Sequence, residues 1–436
     1  MALKILCVGD IHLGKVVTRL PAVLADFGID VAELSPASAW RRTWERAIEE
    51  HVDAVLIAGD LVEDENERFA AIHHLDTGLR ALTQHDIQVF AVSGNHDGTA
   101  LTRMARHLSD LRHLGKDGQW ESAPCTARDG TPFEVLGWSF PERHFPENPF
   151  DALETPAPSN GLRIGLIHAD LDGGASSRYA PITNADLERV RCDAWCMGHI
   201  HKPSPMNEAP HAGYLGSLVG LDPGEPGRHG PWMLSWDSRQ GMRMRQLGLA
   251  PVRWESLVID LSEMPVMGQR DDVADALQSA LHTAADQLMQ SWDADDRALA
   301  VGCRVRLEGR SDDHAASVLA AQQLRQTPWQ VRNVVFFIEH LEDHAAPAID
   351  LDSLARTRTP PGRLARQIQL LQSDGSDADA LLQSARESML ALGVRAQWRE
   401  SSRSSTLSDD DLRQRLTSNA MQMLETLLAQ KEVTQS

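Results

Sequence analysis

The chain has 436 residues, too many for one ordinary hydrophobic core and enough for a large domain with one or two smaller ones. Its 42% hydrophobic and 24% charged residues are ordinary for a soluble globular protein. Lys and Arg total 42 against 62 Asp and Glu, and the resulting charge of −20 excludes a general electrostatic attraction to polyanions. Any nucleic-acid contact must therefore be local, or be supplied by bound metals or a basic partner.

The first predicted strand, Leu3 to Val8, starts almost at Met1 and carries Lys4, which leaves no room for a signal peptide. There is no apolar stretch of membrane-spanning length, so a cytoplasmic protein with no membrane association is expected. Ser38 to Glu50 reads as an amphipathic helix, with Trp40, Trp44 and Ile48 on one face as core residues. Further apolar runs at Ala54 to Ala58, Val89 to Val92, Ile164 to Ile167 and Ala194 to Met197 alternate with helical patterns. Residues 1–250 are thus expected to form one α/β layered domain. The 5 cysteines are few, odd in number and mostly set in apolar runs, which predicts reduced thiols. Cys192 and Cys196 lie close to His199, but a buried strand over Asp193 to Met197 would separate both thiols from the loop histidines.

After the strand-like Trp232 to Trp236 the pattern becomes strand, helix, strand, helix, strand: Leu257 to Leu261, Asp271 to Gln290, Val301 to Leu307, Asp312 to Arg325, and Val331 to Ile338. Residues 251–345 form a small α+β accessory domain in this reading. Residues 346–436 begin with a linker punctuated by Pro347, Pro360 and Pro361. Helices follow over Arg363 to Leu371, Ala378 to Leu392 and Ser408 to Ala429, separated by Ser/Asp-rich segments. The last helix opens on an N-cap at Ser408 with acidic first-turn residues, and Met421, Met423, Leu424, Leu427 and Leu428 give it an apolar side. Arg356, Arg358, Arg363 and Arg366 form the local basic exception, read as a solvated face or a partner-binding surface ahead of a DNA contact.

Each apolar run of the first domain ends in a short motif rich in metal-binding side chains, where open α/β sheets place their sites. Gly9-Asp10-Ile11-His12 offers two ligands at i and i+2, which an extended chain would point the same way. Gly59-Asp60 supplies a candidate bridging carboxylate, Gly94-Asn95-His96-Asp97 a neutral amide oxygen, His168 a single imidazole, and Gly198-His199-Ile200-His201 two more. Glycine before the first ligand of four motifs fits tight turns in which backbone approaches metal. The metal-ligand set is then Asp10, His12, Asp60, Asn95, His168, His199 and His201. Carboxylates with neutral imidazoles favour borderline transition metals. Two divalent ions about 3.5–4 Å apart clamp the attacking and leaving oxygens of an in-line phosphoryl displacement and lower the pKa of a bound water. Phosphoester hydrolysis is the reaction these donors suit. His96 is better placed as a catalytic group than as a ligand, with Asp97 orienting it.

The motif series, ending in Gly-His-Ile-His-Lys-Pro, resembles the calcineurin-like metallophosphoesterase superfamily, and within it the bacterial DNA repair exonucleases of the SbcD/YhaO type. The narrower resemblance rests on Gly137-Trp-Ser-Phe-Pro141, on Tyr214 to Gly220 leading to Gly227-Arg-His-Gly230, and on Val305 to Arg310. It covers residues 1–345, and the C-terminal helices only in general character. It implies a four-layer β-sandwich flanked by helices, holding two Mn²⁺ ions. One would take Asp10, His12, Asp60 and His201, and the other Asp60, Asn95, His168 and His199. Residues 251–345 would be a capping domain that positions DNA. The C-terminal helices would dock on an SMC-like ATPase of the SbcC type, and the chain would form a homodimer. The chain departs from the pattern after Gly59-Asp60-Leu61, where these nucleases commonly carry an aromatic residue and a histidine and this sequence has Val62 and Glu63.

The expected function is a metal-dependent DNA exonuclease and endonuclease. The alternative is a phosphodiesterase or phosphatase for a smaller phosphoester, against which the accessory domain and C-terminal extension speak. A non-catalytic scaffold for an ATPase is disfavoured because no expected ligand is missing from the sequence.

Overall fold

The strand Ala54–Ala58 is buried at every position, so both of its faces are covered, and this is why it reads as an unbroken apolar run. The computed structural model describes residues 3–63, 68–97, 101, 104, 108, 110–154, 161–174, 176–264, 270–373, 375–393 and 408–433. Contacts divide the chain into two units, Met1–Ala346 and Pro347–Ser436.

In the first unit, a sheet runs in the order Gly241–Gln246, Trp232–Asp237, Leu3–Val8, Ala54–Ala58, Gln88–Val92, Arg112–His113, and the last four strands are mutually parallel. A second sheet runs His211–Tyr214, Ala194–Gly198, Leu162–His168, Pro132–Trp138, Trp120–Thr126, parallel except for the final pair. Residues alternating along the strands divide between the two faces. Ile5, Cys7, Leu56 and Phe90 of the first sheet meet Val135, Ile164, Leu166 and Cys196 of the second in one core between them. Leu6, Val8, Val55 and Ile57 turn the other way, onto helices Pro36–Glu49 and Arg68–Thr83. Trp138, Ile167, Trp195 and Met197 on the far face of the second sheet pack with Phe150 and Leu187. The result is the layered α/β sandwich expected from the alternating pattern.

Helix Pro36–Glu49 starts where its sequence directs: Ser35 Oγ accepts from Ser38 N (3.3 Å), and Pro36 occupies the first turn. Trp40 is fully buried and donates Nε1–H to the His74 carbonyl (3.2 Å), so it belongs to the core as read.

A third sheet is built from parallel strands Val252–Asp260, Ala300–Glu308 and Val334–Asp343, with Trp329–Val331 antiparallel at its edge. The single strand expected from Val331 to Ile338 is a hairpin instead. Val331 pairs with Val334, and the chain reverses through Arg332 at φ 55°. One face of the sheet is covered by helices Arg270–Gln290 and His314–Leu324. Trp254, Ala300, Val335 and Phe337 on its other face share a core with Leu218, Leu249 and the first sheet's outer layer. Residues 251–346 therefore lie in the same contact unit as the sandwich.

The second unit contains helices Leu351–Ala355, Pro360–Gln372, Ser376–Gly393 and Asp409–Val433, with Leu371, Leu382 and Leu412 at its core. Pro360 and Pro361, read as linker punctuation, open a helix: Thr359 Oγ1 accepts from Gly362 N (3.3 Å), and proline suits a first turn whose N–H groups lack intrahelical partners. Ser408 caps the last helix through Asp411 N (3.1 Å). Leu424 is buried there, whereas Met423 is 60% exposed. Residues 394–407, the segment expected to separate the last two helices, lie outside the described residues. Arg356, Arg358, Arg363 and Arg366 are exposed, and Arg366 donates to the carbonyls of Ala355 and Thr357. No helix among the described residues is long and apolar enough to cross a membrane.

Candidate metal centre

Parallel strands end at a common edge, and here the loops after Val8, Ala58, Val92 and Gly198, with the last residue of strand Leu162–His168, bring all the expected ligands together. The convergence does not come from strand alternation. Residues 9–12 are outside the strand, and His12 (φ 52°), Asp60 (φ 48°) and His199 (φ 110°) take left-handed backbone conformations that side chains normally avoid. His12 N and Ile11 N both donate to the Asp60 carbonyl (2.9 and 3.1 Å), which ties the first two loops together. The glycines are required by contact. A Cβ at Gly94 would lie 2.1 Å from Asp60 Oδ1, and one at Gly59 would lie 2.6 Å from His168 Nδ1.

Asp10, His12 and His201 form one group of candidate ligand atoms, and Asp10, Asp60 and His168 another. Asp60 Oδ2 stands 3.8 Å from His12 Nε2 and 3.6 Å from His168 Nε2, where a carboxylate shared by two ions would stand. Asn95 Oδ1 is 2.9 Å from His168 Nε2 and 3.3 Å from His199 Nδ1. The two histidines of Gly198-His199-Ile200-His201 therefore diverge: His201 joins Asp10 and His12, while His199 joins Asn95 and His168.

The ring orientations are fixed from outside the cluster. His12 Nδ1 lies 2.6 Å from Glu63 Oε1, His201 Nδ1 2.5 Å from Glu225 Oε1, and His168 Nδ1 3.0 Å from the Ala58 carbonyl. Each acceptor receives a hydrogen bond from Nδ1–H, which leaves Nε2 of the neutral ring as a bare lone pair turned inward. His12 Nε2 and His201 Nε2 face each other at 2.8 Å, an arrangement two neutral rings adopt favourably only with a cation or proton between them. Burial, with His168 beside it, holds the pKa of His199 down at about 4, so its ring is neutral and available to coordinate. Imidazoles, carboxylates and an amide oxygen in this buried pocket fit a pair of borderline divalent ions.

His96 stands at the rim, its side chain 31% exposed and edge-on to His12 with ring centroids 5.2 Å apart. Its backbone N–H donates to Asp60 Oδ1 (3.0 Å), and Nδ1 lies 3.2 Å from Glu63 Oε2. The bond to Glu63 raises its pKa despite partial burial. The expectation that Asp97 orients His96 is corrected by these contacts. Asp97 is buried and accepts from the backbone of Leu61 (2.6 Å) and Gly94 (2.7 Å), so it braces the loops that carry Asp60 and Asn95. Burial and the nearby Asp60 carboxylate push its pKa up to about 8.

Two carboxylates stand where sequence reasoning assigned no role. Glu63 was visible only as a departure from a motif. Glu225 carried no local signal, since its partners His201 (2.5 Å), Leu221 N (2.9 Å) and Ser217 Oγ (3.4 Å) are brought to it by the fold. All five cysteines are free, and none belongs to a group of candidate ligands among the described residues.

The family model for calcineurin-like phosphoesterases matches residues 3–203, a span that holds every candidate ligand. Over those residues the chain is similar to the calcineurin-like phosphoesterases. That model describes phosphoesterases, and the two groups of candidate ligands, Asp10 with His12 and His201, and Asp10 with Asp60 and His168, suit the dinuclear metal centre of that family. Similar curated proteins include the uncharacterized metallophosphoesterase YhaO of Bacillus subtilis, 27% identical over 227 residues, 51% of this chain and 55% of that protein. The DNA double-strand break repair protein Mre11 of Methanopyrus kandleri is 25% identical over 287 residues, 60% of this chain and 59% of its own. The Mre11 protein of Halobacterium salinarum is 29% identical over 191 residues, 44% and 43% of the two chains. The chain thus spans less than two thirds of the length of these relatives.

Proposed function

We propose that this metallophosphoesterase is a DNA nuclease that hydrolyses phosphodiester bonds. The observation that carries the reading is the convergence of two ligand clusters on Asp60 Oδ2, with His96 at the exposed rim beside them. Asp10, His12, Asp60 and His201 would hold one ion, and Asp60, Asn95, His168 and His199 the other, Mn²⁺ being the candidate metal. When bound, such a pair supplies Lewis acidity and a template for in-line displacement at phosphorus. His96, with Nδ1 held by Glu63 and its side chain 31% exposed, would donate a proton from Nε2 to the leaving oxygen.

DNA as substrate is supported by the similarity to the DNA double-strand break repair proteins Mre11, which extends over 60% of this chain, more than the matched domain alone. The sheet built on Val252–Asp260 shares a core with the sandwich, as a module that positions a long substrate requires. On the same reading the helices after residue 346 dock on an SbcC-like SMC ATPase, and two copies of the chain associate. The −20 charge favours no polyanion, so the metals and the partner supply the attraction.

The test compares Mn²⁺-loaded wild type and His96→Ala on a double-stranded DNA end, a DNA hairpin and a bis-aryl phosphodiester. Cleavage of DNA by wild type, lost in the variant, is the expected result. Cleavage of the small ester alone, even with an ATPase partner added, would replace the nuclease reading with that of a small-molecule phosphodiesterase.

A further inference from the structure

Glu63 spans two histidines with different tasks. Oε1 meets His12 Nδ1 at 2.6 Å and Lys15 Nζ at 3.0 Å, while Oε2 meets His96 Nδ1 at 3.2 Å. An ionised carboxylate only accepts hydrogen bonds, so both rings must carry their proton on Nδ1. For His12 this bares Nε2 toward His201 and Asp60. For His96 it leaves Nε2 as the nitrogen that Glu63 does not hold, on a side chain that is 31% exposed. Lys15 holds the carboxylate in place from the remaining side. The side chain occupies the position at which the sequence departs from the nucleases it resembles, and its two oxygens reach both rings at Nδ1.

We propose that Glu63 is a positioning residue that fixes the His96 ring with Nε2 toward the leaving oxygen of a phosphodiester, and couples that ring to the candidate metal ligand His12. The inference rests on the phosphodiesterase reading above. In the step it supports, water adds to phosphorus, the bond from phosphorus to the leaving 3′ oxygen breaks, and that oxygen takes the Nε2 proton of the His96 imidazolium, which is left as the Nδ1–H tautomer bonded to Glu63. The proton released by the attacking water goes to solvent, and solvent reprotonates His96. The products are a phosphomonoester and an alcohol.

The leaving group separates this role from a merely structural one. A p-nitrophenolate departs without a proton, whereas a nucleoside 3′ alkoxide needs one. Glu63→Gln keeps the shape but can accept from only one ring. With Mn²⁺ saturating for each protein, the loss of kcat in the variant should be about 100-fold greater on the dinucleotide TpT than on thymidine 5′-(p-nitrophenyl phosphate), the lower end of general-acid contributions; any loss that acts through His12 and the metal site falls on both esters alike. An equal loss on both esters would mean that Glu63 serves only the metal site through His12, and an unchanged rate on TpT would mean that it positions nothing; either result overturns the proposal.

A second measurement does not depend on turnover. In histidine-labelled protein loaded with diamagnetic Zn²⁺, two-bond ¹H–¹⁵N correlations at a pH where the rings are neutral report the tautomer, with His96→Ala assigning the signal. The Nδ1–H form of His96 is expected in wild type and its loss in Glu63→Gln. The Nε2–H form in wild type, or an unchanged tautomer in the variant, would refute the pairing. If wild type hydrolyses neither ester, the phosphodiesterase reading fails by itself, and the tautomer still decides whether Glu63 sets the ring.

Discussion

His12 Nε2 and His201 Nε2 approach to 2.8 Å while the opposite nitrogen of each ring donates to a carboxylate, Glu63 for the first and Glu225 for the second. Two lone pairs directed at one point favour a cation there. Adding Mn²⁺ should therefore raise Tm by mass action, by about 2.7 kcal/mol of stability at a free concentration 100 times Kd. Asp60→Asn removes charge from the carboxylate between the two clusters, so both metal content and the thermal shift should fall together. Metal analysis of the purified variant beside differential scanning calorimetry checks this, and full metal content in Asp60→Asn would rule out the shared-ligand role.

Glu225 acts on the same cluster from outside it. Besides His201 it accepts from Leu221 N at 2.9 Å, so its carboxylate is held by backbone as well as by the ring it orients. Burial raises its pKa, but the hydrogen bonds from His201 and from Leu221 N outweigh this and leave it below the usual carboxylate range. Glu225→Gln should weaken metal binding about 10–100-fold, as losses of such outer partners typically do. Competition against a chelating dye measures it, and an affinity within about twofold of wild type would show that His201 needs no such partner.

Much of this arrangement was legible in the sequence because the catalytic motifs are local. Each ligand follows a short apolar run, and Ala54–Ala58 or Leu162–His168 could be recognised as a buried strand without knowing its neighbours. The reason the ligands converge was not legible. Extended alternation at i and i+2 would have sent His199 and His201 to the same ion, whereas the left-handed turn at His199 sends them to different clusters. Partners across long sequence separations were equally hidden: neither Glu63 with His96 nor Glu225 with His201 forms a spacing pattern. At Asp97 adjacency misled, because proximity in sequence to His96 suggested a pair that the backbone amides of Leu61 and Gly94 preclude. Pro360 was read as a breaker because proline interrupts helices, yet it also suits their first turn.

Gly94 shows how tightly the loops are stacked. An added methyl there would sit 2.1 Å from Asp60 Oδ1 and 2.8 Å from Asp60 N, inside contact with the carboxylate between the clusters. Gly94→Ala must displace Asp60 or open the loop, at a cost of roughly 1–3 kcal/mol for overpacking. The effect on metal should exceed the effect on the scaffold, since Asp60 Oδ2 stands between His12 and His168. Isothermal titration with Mn²⁺ is expected to show at least about tenfold weaker binding, a factor equivalent to about 1.4 kcal/mol. Wild-type affinity in Gly94→Ala would mean that Asp60 does not depend on this close approach.

His113 offers a pH test away from the metals. It is 4% exposed on the strand Arg112–His113, its Nε2 lies 3.1 Å from Ser139 Oγ, and its Nδ1 is buried without a hydrogen-bond partner. Burial, aided by Lys116, lowers its pKa from 6.5 to about 4. The unfolded chain therefore takes up this proton more readily than the folded one, and stability from this residue is complete above about pH 6.5 and declines as pH falls toward 4. Fully developed, the difference is about 3 kcal/mol by linkage. His113→Gln removes the titration while keeping a polar group near Ser139. Urea unfolding at several pH values between 4 and 7 should show a stability difference between the two proteins that shifts in favour of the variant on acidification. A difference that stays constant with pH would show that His113 titrates alike in the folded and unfolded chains.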